Sequence, residues 1–215
     1  MGQNEQAGTQ AAIPGFDDAM GAFEAIMTRR STRRFKPDAI DRVLVERIVE
    51  AGRMAPSGGN NQTSHFIVIV DKDVRAQIVA DVERAFAAME PTDDMYGGLK
   101  MSIALSKKGG YVFDYNAPVL VAIANQKNYG NNMADVATAL ENMLIAANAL
   151  DLGSCYINQL KWLNEDPTLL ELMRGLGLGE DERIYAAVAL GYADTDDGLP
   201  IREPLPRKGN QVTWV

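Results

Sequence analysis

Histidine and cysteine are almost missing from this chain, one of each among 215 residues. That scarcity excludes a His/Cys metal centre, which draws several such ligands together. Cys155 alone cannot close an internal disulfide, so the fold does not rely on an oxidising compartment. Long apolar runs are lacking too, and no segment reads as membrane-spanning. The first twenty residues carry neither a basic stretch nor an apolar core, so no secretory leader is expected and a cytoplasmic location is. Cationic charge is short: 21 Lys and Arg stand against 29 Asp and Glu, a net of −8. A protein that grips nucleic acid over a broad face needs the opposite balance. No Gly-x-Gly-x-x-Gly dinucleotide fingerprint is present.

The cations that are present include one dense group. Arg29-Arg30-Ser31-Thr32-Arg33-Arg34-Phe35 sets four guanidinium groups in six positions with two hydroxyls between them. Each guanidinium is a planar fork of donors that matches a phosphate or carboxylate, and the hydroxyls can fill remaining acceptor sites. On composition alone, a solvated charge run at a helix end reads equally well. The rest of the composition, 47% apolar and 23% charged, describes an ordinary globular domain. Residues 1–16 are polar and without period and read as a flexible lead-in. Residues 17–215 read as one domain that includes a C-terminal arm, 192–215.

Periodicity places the elements. Asp17 or Asp18 can cap a first helix with Met20, Phe23, Ile26 and Met27 as its apolar stripe, and Lys36-Pro37 stops it. Because a helix C-terminus repels anions, an anion at the arginines must be held by side chains and the following turn. Asp41 caps a second helix to about Met54, with Leu44, Val45, Ile48 and Val49 buried. Ala55 to Ser64 is an uncharged, glycine-bearing loop whose Ser57, Asn60 and Gln62 offer donors and acceptors suited to a heterocycle, though a plain turn is the commoner use of such a stretch. His65–Val70 is an apolar strand covered on both faces, with His65 a packing or capping residue. Asp71 caps a helix to about Met89. Residues 90–116 read as a short helix among mobile connections, a lid candidate whose Tyr96, Tyr111, Phe113 and Tyr115 either face substrate or fill the core.

Ala117–Asn125 is a second buried strand. Asn131–Asp151 is a helix apolar nearly all round, with Met133, Val136, Ala137, Leu140, Met143, Leu144 and Ala147 in one stripe, which implies burial on more than one side and a subunit interface. A third strand opens at Gly153-Ser154, Asp166-Pro167 starts another helix in cap-then-proline order, and Arg183–Gly191 is the fourth strand. The arm holds a second basic cluster, Arg202, Arg207 and Lys208, and ends in an apolar Val-Thr-Trp-Val that is expected to lie across another surface as an edge strand.

Taken together, Arg29 to Phe35 after a first helix, Ala55 to Gln62 after a second, an alanine-rich central helix ending in Leu152-Gly153-Ser154, a strand closing in Ala189-Leu190-Gly191-Tyr192, and Pro206-Arg207-Lys208 in the tail resemble the FMN-dependent nitroreductase family. The resemblance runs from about residue 20 to the C-terminus. It implies an α+β fold with a central, mainly antiparallel sheet flanked by helices, an intertwined homodimer, and FMN sites at the dimer interface. It further implies that Arg29, Arg30, Ser31 and Arg33 form the first cofactor motif, with Arg29, Ser31 and Arg207 near the FMN phosphate and Arg33 beside the pyrimidine end of the flavin. Pro56, Ser57 and Asn60 match the segment that reaches the flavin from the other subunit. Gly153 and Ser154 match the loop that offers a backbone N–H near flavin N5. Two positions depart from the pattern: Thr63-Ser64 stand where many relatives have Pro-Trp, and Leu205 stands where some have a second phosphate-binding cation.

The activity implied is a two-step transfer of hydride, from NAD(P)H to the flavin and then to an electron-poor acceptor such as a nitroaromatic or a quinone, with no side chain assigned as acid or base. The same scaffold is similar to flavin-dependent dehalogenases, enoate-type reductases and a flavin-cleaving synthase. A non-catalytic FMN-binding protein, or a plain anion-binding domain, is the alternative outside catalysis.

Overall fold

The computed structural model describes residues 20–206, 208, 209 and 211–215. The lead-in 1–16, the caps Asp17 and Asp18, and Arg207 lie outside these residues. In chain order the elements are α1 (Ala22–Thr28), α2 (Arg42–Arg53), β1 (His65–Ile69), α3 (Lys72–Ala87), α4 (Gly97–Lys108), β2 (Val119–Gln126), α5 (Asn132–Ala149), β3 (Gly153–Ile157), α6 (Gln159–Trp162), α7 (Pro167–Gly175) and β4 (Glu182–Gly191). The three expected aspartate caps are made: Asp41 accepts from the Val43 amide, Asp71 from Asp73 and Val74, and Asp166 from Leu169.

The four strands form one sheet in the order β1-β2-β4-β3, every pair antiparallel. Alternation along each strand divides the core in two. From β2, Leu120, Ala122 and Ala124 pack with α3, α4, α6 and α7, whereas Val119, Val121 and Ile123 pack with α2 and α5. A bulge between Ile123 and Ala124 passes over Tyr185, so Ala124 pairs with Ile184 and not with its neighbour. The extra residue inverts the parity, and Ile184 joins the face of Ala187 and Ala189 while Ala186 and Val188 serve the other. Helices α2 and α5 approach closely at Gly52, where a Cβ would lie 2.8 Å from Met143 Cγ.

Several expectations are corrected by the packing. Helix α1 ends at Thr28, well before Lys36-Pro37, because residues 31–35 are drawn into extended bridges with Ser154 and Ala193. Its apolar stripe is not buried within the chain: Ala25 is, but Phe23 is 84% exposed and Met27 59%. Strand β1 is fully covered on one face, by way of Ile67 and Ile69, and only partly on the other, where Phe66 packs half-buried against the α2/α5 core and Val68 is open at the edge of the sheet. On α5 the expected Val136, Leu140, Met143, Leu144 and Ala147 are buried, yet Met133 and Ala137 are exposed and Asp135 and Asn148 are buried. Residues 97–108 form a three-turn helix as long as α2, and Phe113 is wholly buried, which removes it from the substrate-facing candidates. The described tail residues from 199 onward show no strand.

Candidate functional site

The arginine segment is placed by Asn148, a polar residue buried in the last turns of α5. Its Nδ2 donates to the Ala25 carbonyl at 2.9 Å and to Thr28 Oγ1 at 3.0 Å, which occupies the end of α1. Arg29 then leaves the helix with ψ 129°. Beyond it the Thr32 amide donates to the Ser154 carbonyl at 2.8 Å, the Asp194 amide to the Arg34 carbonyl at 3.0 Å and the Lys36 amide to the Tyr192 carbonyl at 2.9 Å. The segment is thereby sewn along the start of β3 and the end of β4. Gly153 permits that approach, since a Cβ there would lie 2.8 Å from the Thr32 side chain.

The guanidinium groups have different fates. Arg29 Nε stands 3.7 Å from Glu141 Oε1 on α5, a loose pair in which both groups keep solvent contact. Arg30 Nη1 donates to the Glu203 carbonyl at 2.9 Å and so holds the tail. Arg33 has no carboxylate partner among the described residues, and its charge is near enough to offset part of the burial that raises the Tyr115 phenol. Arg202, expected to share the second basic cluster, is already engaged: its Nη2 is 2.6 Å from Asp151 Oδ1 and donates to the Asn148 carbonyl at 2.7 Å. This anchor lays Pro204 and Leu205 against a recess that is also lined by Arg29, Arg30, Ser31 and Arg33.

Beneath the segment, burial pushes the Cys155 thiol pKa up, and Arg33, Ser31 and Arg29 offset only part of that effect. The thiol is therefore held protonated at neutral pH and is 2% exposed, an inert packing group. Burial likewise raises the Tyr115 phenol, with the neighbouring Cys155 adding to it and Arg33 drawing it back.

The polar loop is built separately, on the N-terminal half of α5. Thr138 Oγ1 donates to the Pro56 carbonyl at 3.1 Å, the Gly58 amide to Asp135 Oδ1 at 3.0 Å and Tyr129 Oη to the Gly58 carbonyl at 2.9 Å. Ser57 Oγ accepts from the Gln62 amide at 3.0 Å, and Asn60 Oδ1 accepts from Gln62 Nε2 at 3.0 Å. Asn60 and Gln62 both take positive φ, 55° and 53°, conformations that are uncommon outside glycine and concentrate where a loop is shaped for a purpose.

Of the residues expected at the site, Arg29, Arg30, Ser31, Arg33, Gly153 and Ser154 thus come together. Pro56, Ser57 and Asn60 form a second group. Among the described residues no hydrogen bond or ion pair joins the two groups, although both reach α5, at Glu141 and at Thr138 and Asp135. Residues three apart are neighbours on a helix surface. The anchoring roles of Asn148, Asp135 and Glu141 escaped the sequence reading, and Arg202, read there as part of a basic cluster, proves to be an anchor too. A polar residue set in the most apolar helix of the chain is the signal that could have marked Asn148 and Asp135.

A profile of the nitroreductase family matches residues 26–192, from within α1 through the end of β4 and over both groups. The chain belongs to the nitroreductase family. Members of this family are flavin-dependent oxidoreductases, and the sheet flanked by helices is the nitroreductase-like fold. A nitroreductase of Bacteroides fragilis, solved with bound FMN, is 32% identical and superposes with a TM-score of 0.77 over 90% of this chain and 98% of its own. A protein of Archaeoglobus fulgidus assigned as an NADH dehydrogenase/NAD(P)H nitroreductase is 29% identical over 79% of this chain and 84% of its own length. The 5,6-dimethylbenzimidazole synthase of Rhodospirillum rubrum is also 29% identical, over 89% of this chain and 90% of its own. Nitroreductase-family members that resemble this chain therefore carry more than one reaction.

Proposed function

We propose that the protein is a homodimeric, FMN-dependent oxidoreductase that takes hydride from NAD(P)H and delivers it to an electron-poor acceptor, a nitroaromatic or a quinone. The observation that carries this reading is the stitching of the arginine segment to Ser154 through Ser31 and Thr32, which holds Arg29, Arg30, Ser31 and Arg33 around one recess. These residues suit a phosphorylated flavin. Arg33 has no neutralising carboxylate among the described residues, the Arg29 pair is loose enough to exchange for a phosphate, and Gly153 keeps the strand edge clear of a side chain.

When bound, FMN supplies the hydride-accepting centre, and the protein supplies binding, orientation and field. Arg29 and Ser31, with Arg207, would hold the phosphate. Arg33 would place positive charge where negative charge accumulates on reduction, and the backbone at Gly153-Ser154 would orient the reacting edge. Pro56, Ser57 and Asn60 would come from the second subunit. In favour of that arrangement, no hydrogen bond or ion pair joins the two groups among the described residues of one chain, and exposed Phe23, Met27, Met133 and Trp214 offer apolar surface that a second copy can cover.

The test is anaerobic addition of NADH or NADPH to the purified protein while the visible flavin absorbance is followed. Bleaching that reverses on adding a nitroaromatic or quinone is expected; absence of bound flavin, or no bleaching with either nucleotide, defeats the proposal. Flavin cleavage is the second reading, favoured by the synthase relative that matches over nine-tenths of its length. Under that reading, reduced flavin exposed to oxygen is consumed and not regenerated, which product analysis distinguishes.

A further inference from the structure

The polar loop walls a cavity of about 130 Å³ that it shares with the end of α2, Phe66 of β1 and Asp135 of α5. Asp135 is the one carboxylate in that wall among the described residues, and it is only 5% exposed. Its Oδ1 accepts from the Gly58 amide at 3.0 Å. Its Oδ2 is buried with no hydrogen-bond partner among the described residues. A buried carboxylate oxygen left unpaired is costly until a donor or a cation meets it. Placement in the first turn of α5 compensates part of that cost through the helix dipole.

The rest of the wall is rich in oxygen. Ser57 Oγ accepts from the Gln62 amide at 3.0 Å and Ser64 Oγ from Asn125 Nδ2 at 3.5 Å, and each hydroxyl keeps a further lone pair. Gln62 spends its Nε2 on Asn60 Oδ1, which leaves its Oε1 as an acceptor. Residues 52–55 close the cavity with the C-terminal end of α2, where helix carbonyls carry partial negative charge. Arg53 is the one cation in the wall among the described residues, and Glu50 Oε2, 2.6 Å away, neutralises it. Serine at position 64, where many relatives have tryptophan, keeps the space open.

We propose that this cavity binds a monovalent cation, an alkali ion or ammonium, with Asp135 Oδ2 as its charged ligand, and that the bound ion braces the loop of residues 56–62 on α5. Oxygen ligands select a hard cation, and a single carboxylate suits one positive charge better than two. The volume holds the ion together with one or two waters, each of which occupies about 30 Å³. The site stands on the cavity by itself; only its effect on the cofactor rests on the flavin reading given above.

The experiment transfers the full chain into tetramethylammonium chloride, whose methyl groups neither coordinate to oxygen nor donate hydrogen bonds, and titrates in NaCl, KCl or NH4Cl at constant ionic strength while thermal unfolding is followed. At least one of the three should raise the midpoint saturably, by about 4 °C at ten times its half-saturating concentration. Asp135→Asn retains an acceptor for the Gly58 amide and puts a donor in place of the charge, so the response should vanish. Ser64→Ala removes one neutral oxygen and should raise the half-saturating concentration about fivefold, the size of one modest contact. That second variant decides the matter if Asp135→Asn does not fold. Equal midpoints in all four salts mean that Oδ2 meets water only and overturn the proposal, as does a response unchanged in either variant.

In the flavin-loaded protein, removal of the cation should weaken FMN retention about tenfold, and FMN should tighten cation binding by the same factor. Retention indifferent to the ion overturns the bracing of the cofactor loop. Should the protein bind no FMN, the flavin reading fails by that result, and the midpoint titration still decides the site.

Discussion

The Thr32 amide donates to the Ser154 carbonyl at 2.8 Å, and this bond joins two segments 122 positions apart in the chain. It forms because Gly153, next to Ser154, leaves no side chain in the path of Thr32. Cationic side chains that follow an exposed helix are thereby fixed against the edge of a rigid sheet. Sites supported by a sheet hold their geometry more closely than sites on free loops.

Gly153→Ala should undo that seam. Its Cβ would sit 2.8 to 2.9 Å from three atoms of the Thr32 side chain, and overpacking of this kind costs about 1–3 kcal/mol. Denaturant titration should show that loss, together with weaker FMN retention. Adding Thr32→Ala to the same chain removes Cγ2 and Oγ1 and leaves only the Cβ at 2.9 Å, so it should restore part of both; failure to restore either would place the defect elsewhere.

Arg29 and Arg33 should separate binding from reduction. Arg29→Ala is expected to weaken FMN retention by about tenfold, the size of one lost charge-assisted contact, with little effect on reduction of the flavin that remains bound. Arg33→Ala should do the reverse. Equilibrium dialysis and stopped-flow reduction measure the two quantities, and equal losses of retention alone would contradict the division of labour.

Apolar residues on α1 provide a test of assembly. Phe23 and Met27 are 84% and 59% exposed in the single chain, so Phe23→Glu with Met27→Glu gives up little packing among the described residues. If a second copy covers them, the variant should sediment as a monomer at micromolar concentration and release FMN. A variant that remains dimeric would assign the interface to another face.

Acid stability should carry the signature of Asp166. Burial by itself would raise the pKa of this carboxyl, but the Leu169 amide and the Arg84 guanidinium, 2.8 Å away, hold it below the usual aspartate range. A folded pKa below the unfolded value means the unfolded chain binds the proton first. The contribution of Asp166 is therefore fully present above the unfolded pKa of about 4 and is lost as pH falls through the folded pKa. Urea denaturation between neutral pH and the acid limit should show a shallower decline for Asp166→Asn, which keeps a capping oxygen and loses the charge. Parallel profiles for the two proteins would rule this out.

Much of the fold was legible in local chemistry. Asp41, Asp71 and Asp166 announce their helices because a carboxylate that satisfies free amides acts within three residues of itself. The strands of β2 and β4 are legible as apolar runs for the same local reason. The end of α1 was not, since nothing near Thr28 breaks a helix; what stops it is Ser154, Ala193 and Asn148, residues far along the chain. Exposure of Val68 was equally illegible, because an edge strand and a central strand have the same composition and differ only in what pairs beside them. Tyr115 could be named as an aromatic candidate, but its left-handed backbone depends on Asp114 and Arg75 closing around it.

The amino-acid order by itself determined which residues could hold an anion, where helices begin, and which family pattern the chain follows. These are properties of side-chain chemistry and near neighbours. Only the tertiary structure decided which of the described arginines remain free of carboxylates, that Gly153 meets Thr32, and that the two groups of site residues reach neighbouring positions on one helix without a hydrogen bond or ion pair between them among the described residues. Those outcomes depend on contacts between segments 51 to 123 residues apart, whose pairing is set by packing across the sheet and not by anything within reach of either segment.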